Sequence, residues 1–347
     1  MIIIYKIFSK LTLITLVIFG IMMLALGGVY YYYRILLEPI VMGQNEPVKI
    51  EIPSGSSTIT VARLLEKEGL IKNALAFRLY TRYIGQDMAI MAGEYQLSAG
   101  MSVPELLDRL TSGKVVSYPF TIPEGFTLKQ ITTLLTEKGY VNRDKFIEVI
   151  KGTQFNYQFL QGIPRGEKYL EGYLFPATYK VVKGTPEQEI VDMMLKRFEK
   201  EITPAYLEKA RALGLNVNQA VTLASLIERE TMQDSERPIV AAVILNRLRK
   251  GMRLEIDATV QYALGENKER LFYKDLKIES PYNTYQITGL PPGPIASPGR
   301  ASLQAAVNPA AVDYLFYVVS TDGKHVFSKT LEEHNRNKRK YLARLKS

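Results

Sequence analysis

Two glutamates close an apolar run in Leu223-Ala-Ser-Leu-Ile-Glu-Arg-Glu-Thr231. A carboxyl held against apolar neighbours keeps its proton near neutral pH, and a general acid that cleaves a glycosidic bond needs that property. Val217, Ala220, Val221, Ala224 and Ile227 follow helical spacing, with Asn216 or Asn218 placed to cap the helix start. Two residues along a helix turn the chain by about 200°, so Glu228 and Glu230 face different ways. Glu230 has Ile227, Leu226 and Leu223 at three, four and seven positions before it, whereas Glu228 has Ser225, Ala224 and Val221. Desolvation raises a carboxyl pKa, so Glu230 is the better acid. Without any further motif, both would read as surface glutamates at a helix end.

A second stretch could wall a cleft beside such an acid. Ser280-Pro-Tyr-Asn-Thr-Tyr285 runs on into Gly289-Leu-Pro-Pro-Gly-Pro-Ile-Ala-Ser-Pro-Gly299, a stiff loop rich in glycine, proline and hydroxyls. Tyr282, Asn283, Thr284 and Tyr285 offer amide, hydroxyl and aromatic surface to a sugar, or else brace the loop. Asp257 could contact sugar too, or cap a helix running through Leu264. His325 and His334 lack a carboxylate at ligand spacing, so structural hydrogen bonds fit them better than a metal.

The elements that must position these groups begin with a repeated unit. Ile52-Pro-Ser-Gly-Ser-Ser57 leads to Val61, Leu64, Leu65 and Gly69. Ile122-Pro-Glu-Gly-Phe-Thr127 leads to Ile131, Leu134, Leu135 and Gly139 at the same offsets. Leu97-Ser-Ala-Gly-Met-Ser102 precedes Leu106, Leu110 and Gly113. Each reads as strand, glycine turn, Ser/Thr N-cap, amphipathic helix and glycine stop. Such units must pack on one another to bury their apolar faces. The pattern resembles small LysM-type glycan-holding modules, with a plain scaffold as the alternative, since no aromatic sugar-stacking cluster marks the repeats. A boundary is expected near Gly113–Ser117, and helical patterns follow over Glu187–Lys200 and Pro204–Leu213.

Ahead of the repeats, Leu11 to Tyr33 carries no charged residue. As a helix it would reach about 34 Å, enough for a hydrocarbon core of about 30 Å. Tyr30-Tyr-Tyr-Tyr33 and Arg34 suit a membrane interface. The length exceeds a signal-peptide core, so a retained span is expected. Lys6 and Lys10 before it place the short end in the cytoplasm. The basic end, Arg336–Lys346, carries Tyr341, Leu342 and Leu345 on one face and reads as a docked or solvated terminal helix.

Composition narrows the classes further. The 347 residues suffice for two soluble domains, and the net charge of +9 favours anionic surroundings. The basic residues are scattered without a basic-aromatic motif, which argues against nucleic acid. With no cysteine, disulfides, thiolate metal sites and lipid-modified cysteine are excluded. A pyridoxal-phosphate lyase would need a Schiff-base lysine in a phosphate cup, and no lysine has that setting.

Leu170-Glu-Gly-Tyr-Leu-Phe-Pro-Ala-Thr-Tyr179, Ala224-Ser-Leu-Ile-Glu-Arg-Glu-Thr231, Val243-Ile-Leu-Asn-Arg-Leu248 and Gly251-Met-Arg-Leu254 stand in one order along the chain. Asp257-Ala-Thr-Val-Gln-Tyr262, Tyr282-Asn-Thr-Tyr285, Gly289-Leu-Pro-Pro-Gly293, Gly323-Lys-His-Val-Phe327 and His334-Asn335 continue it. In this order the motifs resemble the endolytic murein transglycosylase (MltG, YceG-like) family, over essentially the whole chain. The resemblance implies an α+β protein with a single N-terminal transmembrane helix, a small LysM-like βα domain and a mixed catalytic domain. The corresponding residues are a short cytoplasmic end 1–10, a span 11–33, a LysM-like domain 40–115 and a catalytic domain 116–347. It also implies that Glu230, second in the Glu-x-Glu-Thr motif, acts as acid and then base, with no metal or other cofactor. The implied substrate is a peptidoglycan glycan strand, cut internally between N-acetylmuramic acid and N-acetylglucosamine to leave a 1,6-anhydro end. The implied place is the cell (inner) membrane, with the catalytic domain on the periplasmic side and penicillin-binding synthases as partners. A non-catalytic wall-binding adaptor for such synthases is the alternative, and it would make the Glu230 carboxyl dispensable.

Overall fold

The computed structural model describes residues 2–41, 46–53, 55–266, 268–320 and 323–344, with side chains from 13 to 340. The side chains of Lys6, Lys10, Tyr341, Leu342 and Leu345 therefore lie outside the described residues. The chain divides into two compact units, residues 1–118 with 182–184 and residues 119–181 with 185–347.

In the first unit, α1 (Ile2–Leu37) is a single helix. Its Leu13–Leu37 part has a mean hydropathy of 2.3 and is long and apolar enough to cross a membrane. Leu37 at its end packs into the unit's core. There follow β1 (Val48–Ile52), α2 (Thr58–Lys67), α3 (Ala74–Tyr83), β2 (Gly93–Leu97) and α4 (Val103–Thr111). β1 and β2 pair antiparallel, with Ile50 opposite Tyr95 and Val48 opposite Leu97. Strand alternation turns Ile50, Ile52, Tyr95 and Leu97 inward against Val61, Leu65, Phe77, Leu106 and Leu110. Ser57 caps α2 by accepting from Thr60 N–H at 3.2 Å, and Ser102 and Glu105 form a capping box on α4. The glycines that stop the three repeat helices, Gly69, Gly113 and Gly139, all hold left-handed backbone (φ 69°, 68° and 72°).

The repeats are not stacked as equals. The first two close on each other through β1 and β2, whereas the strand of the third, β3 (Ser117–Thr121), pairs with β4 (Thr178–Val182). The helix of the third repeat, α5 (Leu128–Glu137), belongs to the core of the second unit.

That second unit continues with α6 (Arg143–Gly152), α7 (Glu187–Glu199), α8 (Pro204–Ala212), α9 (Val217–Glu230), α10 (Arg237–Arg249), α11 (Asp257–Leu264) and α12 (Arg300–Val307). A hairpin of β5 (Phe316–Val319) and β6 (His325–Ser328) pairs Tyr317 with Phe327, and α13 (Leu331–Arg344) packs against it. The described fold is thus α+β, with three separate two-stranded sheets among many helices. α9 is its central element. Ala220, Val221, Leu223, Ala224, Leu226 and Ile227 are fully buried, and α10 and α12 both pack against it and against each other. Asn216 is the residue that caps it, in a capping box with Gln219 in which both bonds are 2.9 Å.

The proline-rich loop is bolted to this helix. Ser225 Oγ accepts from Ile295 N–H at 3.1 Å, and Asn218 donates to the Pro292 carbonyl at 3.0 Å. Gly172 lies under the same loop in left-handed backbone (φ 82°), where an added Cβ would sit 2.3 Å from Pro294 Cβ. Gly172→Ala therefore meets both backbone strain and a fixed ring, and should lower stability by at least about 2 kcal/mol. An unchanged denaturation midpoint would show that the loop yields.

Candidate active site

The last turn of α9 carries Glu230, and the helix ends at once, with Thr231 in extended backbone (φ −136°, ψ 137°). The residue stays half-buried, behind the fully buried Leu223, Leu226 and Ile227. Tyr317 of β5 donates its hydroxyl to Glu230 Oε2 at 2.7 Å. Burial raises the pKa of Glu230, the charge of Asp257 adds to the rise, and Tyr317, His325 and Arg229 oppose it. A carboxyl so placed keeps its proton to higher pH than an ordinary glutamate.

Asp257 stands at the first position of α11. The N-cap is Ile256, which makes no side-chain cap bond, so the capping alternative for Asp257 does not hold. Its exposed carboxylate instead accepts from Tyr285 O–H at 2.6 Å, and an acid in the first turn is also favoured by the helix dipole. The two residues thus form an accessible polar pair beside Glu230: the charge of Asp257 acts on Glu230, and that of Glu230 on Tyr285. Just before α11, Glu255 adopts left-handed backbone (φ 54°), a conformation that costs a non-glycine residue free energy.

Other residues of the Tyr282–Tyr285 segment are spent internally. Asn283 is fully buried; it donates to the carbonyls of Leu276 and Ile278 and accepts from Tyr285 N–H. Thr284, equally buried, accepts from Ile256 N–H at 2.9 Å and meets Thr259 Oγ1 at 2.9 Å. These bonds hold the loop against the start of α11. Tyr282 packs on Tyr262 at 4.8 Å between ring centres, with the Lys168 ammonium 4.3 Å above its ring.

Glu228 does point away from Glu230, yet it is no solvated glutamate. Its side chain is 6% exposed and pairs with Arg237 at 3.2 Å, while Oε2 accepts from Gly299 N–H at 2.8 Å. Helix rotation separates the two acids into different surroundings, as their spacing requires.

Two contributors, Tyr317 and Glu236, are not among the candidates that the sequence offers. Tyr317 reaches Glu230 across 87 positions. The available signal was a hairpin pattern, with Leu315-Phe-Tyr-Val-Val319 and His325-Val-Phe327 on either side of an Asp-Gly pair. The other is Glu236, which binds His325 through ring Nδ1 at 2.7 Å and backbone N–H at 3.0 Å. Burial opposes ionisation of Glu236, but these bonds outweigh it and hold the carboxylate low. His334 stacks on Phe316 at 5.4 Å, and its partial burial lowers its pKa from the ordinary value.

A groove of about 950 Å³ lies at the far end of α11, lined by Gln261, Tyr262, Glu171 and Lys168 among others. It does not include Glu230. Glu171 is buried there and pushed up to about 7 by desolvation, against bonds from Leu128 N–H and Tyr262 O–H. Because Leu128 opens α5, that carboxyl ties the motif of Leu170–Tyr179 to a helix N-terminus.

These motifs recur in known proteins. A protein named endolytic murein transglycosylase from Bacillus subtilis (strain 168) is 38% identical over 332 residues, covering 92% of each chain. Another of that name from Streptococcus pneumoniae serotype 2 (strain D39 / NCTC 7466) is 33% identical over 91% of this chain, which spans 62% of that relative's length. A crystal structure of a putative YceG-like protein from Listeria monocytogenes matches with a TM-score of 0.57 and 37% identity, over 84% of this chain and 99% of the other. The profile of the YceG-like family matches residues 50–340, and the chain belongs to that family.

Proposed function

We propose that this chain is a membrane-anchored lytic transglycosylase that cuts peptidoglycan glycan strands internally, with Glu230 as its acid and then its base. The observation that carries the reading is the half-buried Glu230 carboxyl, its pKa raised by burial and its oxygen bonded by one phenol, in a chain whose relatives are named endolytic murein transglycosylases. In the first step Glu230 passes its proton to the glycosidic oxygen as the bond from muramyl C1 breaks. The N-acetylglucosamine side leaves with a free hydroxyl. In the second step the muramyl C6 oxygen bonds to C1, and its proton returns to the Glu230 carboxylate. No water is consumed. One residue serves both steps, so the second carboxylate of ordinary glycosidases has no assigned task.

Asp257 and Tyr285 supply the accessible polar groups for sugar, and Asp257 also favours the protonated form of Glu230 by its charge. Asn283, Thr284 and Tyr282 enter the reading as supports that place this pair. The apolar Leu13–Leu37 stretch fits a single-pass anchor, with the second unit outside the cytoplasm. The antiparallel β1–β2 pair with its helices fits a LysM-like glycan holder, and synthases of the wall are the fitting partners.

Mass spectrometry of products from purified peptidoglycan tests the chemistry. The expected product carries a 1,6-anhydromuramyl end and arises from internal cuts. Reducing ends would make the protein a hydrolase instead.

A further inference from the structure

We infer that Tyr317 is a positioning residue that confines the acid–base work to one oxygen of Glu230, Oε1. The inference rests on Glu230 being the acid–base group, and it concerns which of its two oxygens works. Tyr317 donates to Oε2 at 2.7 Å. A hydroxyl that donates there finds an acceptor in both states of Glu230, the carbonyl oxygen of the neutral acid and an oxygen of the carboxylate. The mobile proton is then left to Oε1. Nothing need reorient between the two steps, which is the condition for preorganised catalysis.

The phenol is itself held. Its ring meets the His325 ring edge-on, with centres 5.1 Å apart at 85°, and Phe327 lies 6.2 Å away on the paired strand. His325 is fixed by Glu236 at both its ring and its backbone, as described above. Burial, then the facing Glu230, keep the Tyr317 hydroxyl well above its ordinary range, so it remains a donor throughout the working pH range.

Several charged or titratable groups bear on this pair. Asp257 of α11, His325 of β6 and Arg229 of α9 act on Glu230; Arg247 of α10 and Asp257 act on Tyr317. Tyr285 of the loop feels Glu230 in turn. Of these groups, Tyr317 donates its hydroxyl to the carboxyl.

Tyr317→Phe in the full chain keeps the ring and its contact with His325 while removing the donor. With isolated glycan strands as substrate, kcat should fall about tenfold or more and KM should change by less than about twofold. Loss of a donor that favours the carboxylate raises the Glu230 pKa further, so the alkaline limb of the pH–rate profile should move up by about one pH unit. Replacing Tyr317 by 3-fluorotyrosine, a stronger donor of nearly the same shape, should move that limb the other way. Titration of ¹³C-labelled glutamate carboxyls by NMR, with the Glu230 signal found by its loss in Glu230→Gln, reads the same shifts without turnover. An unmoved Glu230 titration in both variants overturns the positioning role alone. Full activity in Glu230→Gln overturns the acid–base reading beneath it, whatever Tyr317 does.

Discussion

Glu230→Gln should lower turnover of peptidoglycan by about 10²-fold or more, the usual scale for a lost acid–base group. The amide keeps the size of the side chain and can still accept from Tyr317, but it cannot give up and regain a proton. Its fold should not suffer. Burial raises the pKa of Glu230 above the value of the unfolded chain, so the carboxyl contributes fully only below the unfolded pKa. As pH rises through the folded pKa, that contribution is lost, because the unfolded chain then binds fewer protons than the folded one. Glutamine has no such dependence. The variant should therefore melt at or above the wild-type temperature at neutral pH, with the gap closing under acid conditions. An inactive variant that melts well below wild type would point to structural damage, and an active one would remove Glu230 from the mechanism.

This opposition of stability and activity has a local cause. The three residues behind Glu230 at helical spacing, Leu223, Leu226 and Ile227, are all fully buried, so the apolar wall that shifts the acid is part of the main core. That much was legible in the sequence, because helical periodicity fixes which side chains lie one and two turns back. The caps of Ser57, Ser102, Thr127 and Asn216 were equally legible, since a capping side chain bonds within three residues of itself. Pairing between distant segments was not. The three repeats look alike in sequence, yet β1 takes β2 as its neighbour and β3 takes β4, a choice that the repeated motif does not encode. The same limit hid Tyr317 from Glu230 and Arg237 from Glu228. For Asn283 and Thr284, residue type suggested sugar contacts, but both are fully buried and their hydrogen bonds go to the loop and to α11. Amide and hydroxyl groups suit a turn as well as they suit a ligand.

Arg237→Ala should cost about 3–5 kcal/mol and leave the Glu230 chemistry intact in the molecules that remain folded. Glu228 and Arg237 are 6% and 7% exposed at the side chain, and removing one partner strands the other charge out of water. Arg237 also bonds Asp234 at 2.9 Å and the Ser302 hydroxyl, so its loss unties the start of α10 and the body of α12 together. Glu124 makes matters worse. Its carboxyl lies against Gly299, and its pKa is raised by burial and then by the charge of Glu228, with Arg237 as the opposing influence. Without the arginine, two carboxyls would face each other at the N-terminus of α12. Glu228→Ala should cost less, near the low end of the same range, because Arg237 keeps Asp234 and the repulsion on Glu124 disappears. For a unit of this size, each kcal/mol corresponds to about 2–4 °C in melting temperature, so Arg237→Ala should melt about 6–20 °C lower. A double variant, Glu228→Leu with Arg237→Met, should recover much of that loss, because replacing a whole buried pair by apolar groups is often neutral. If Arg237→Ala melts with the wild type, the pair is solvated in solution and does not hold α12 against α9.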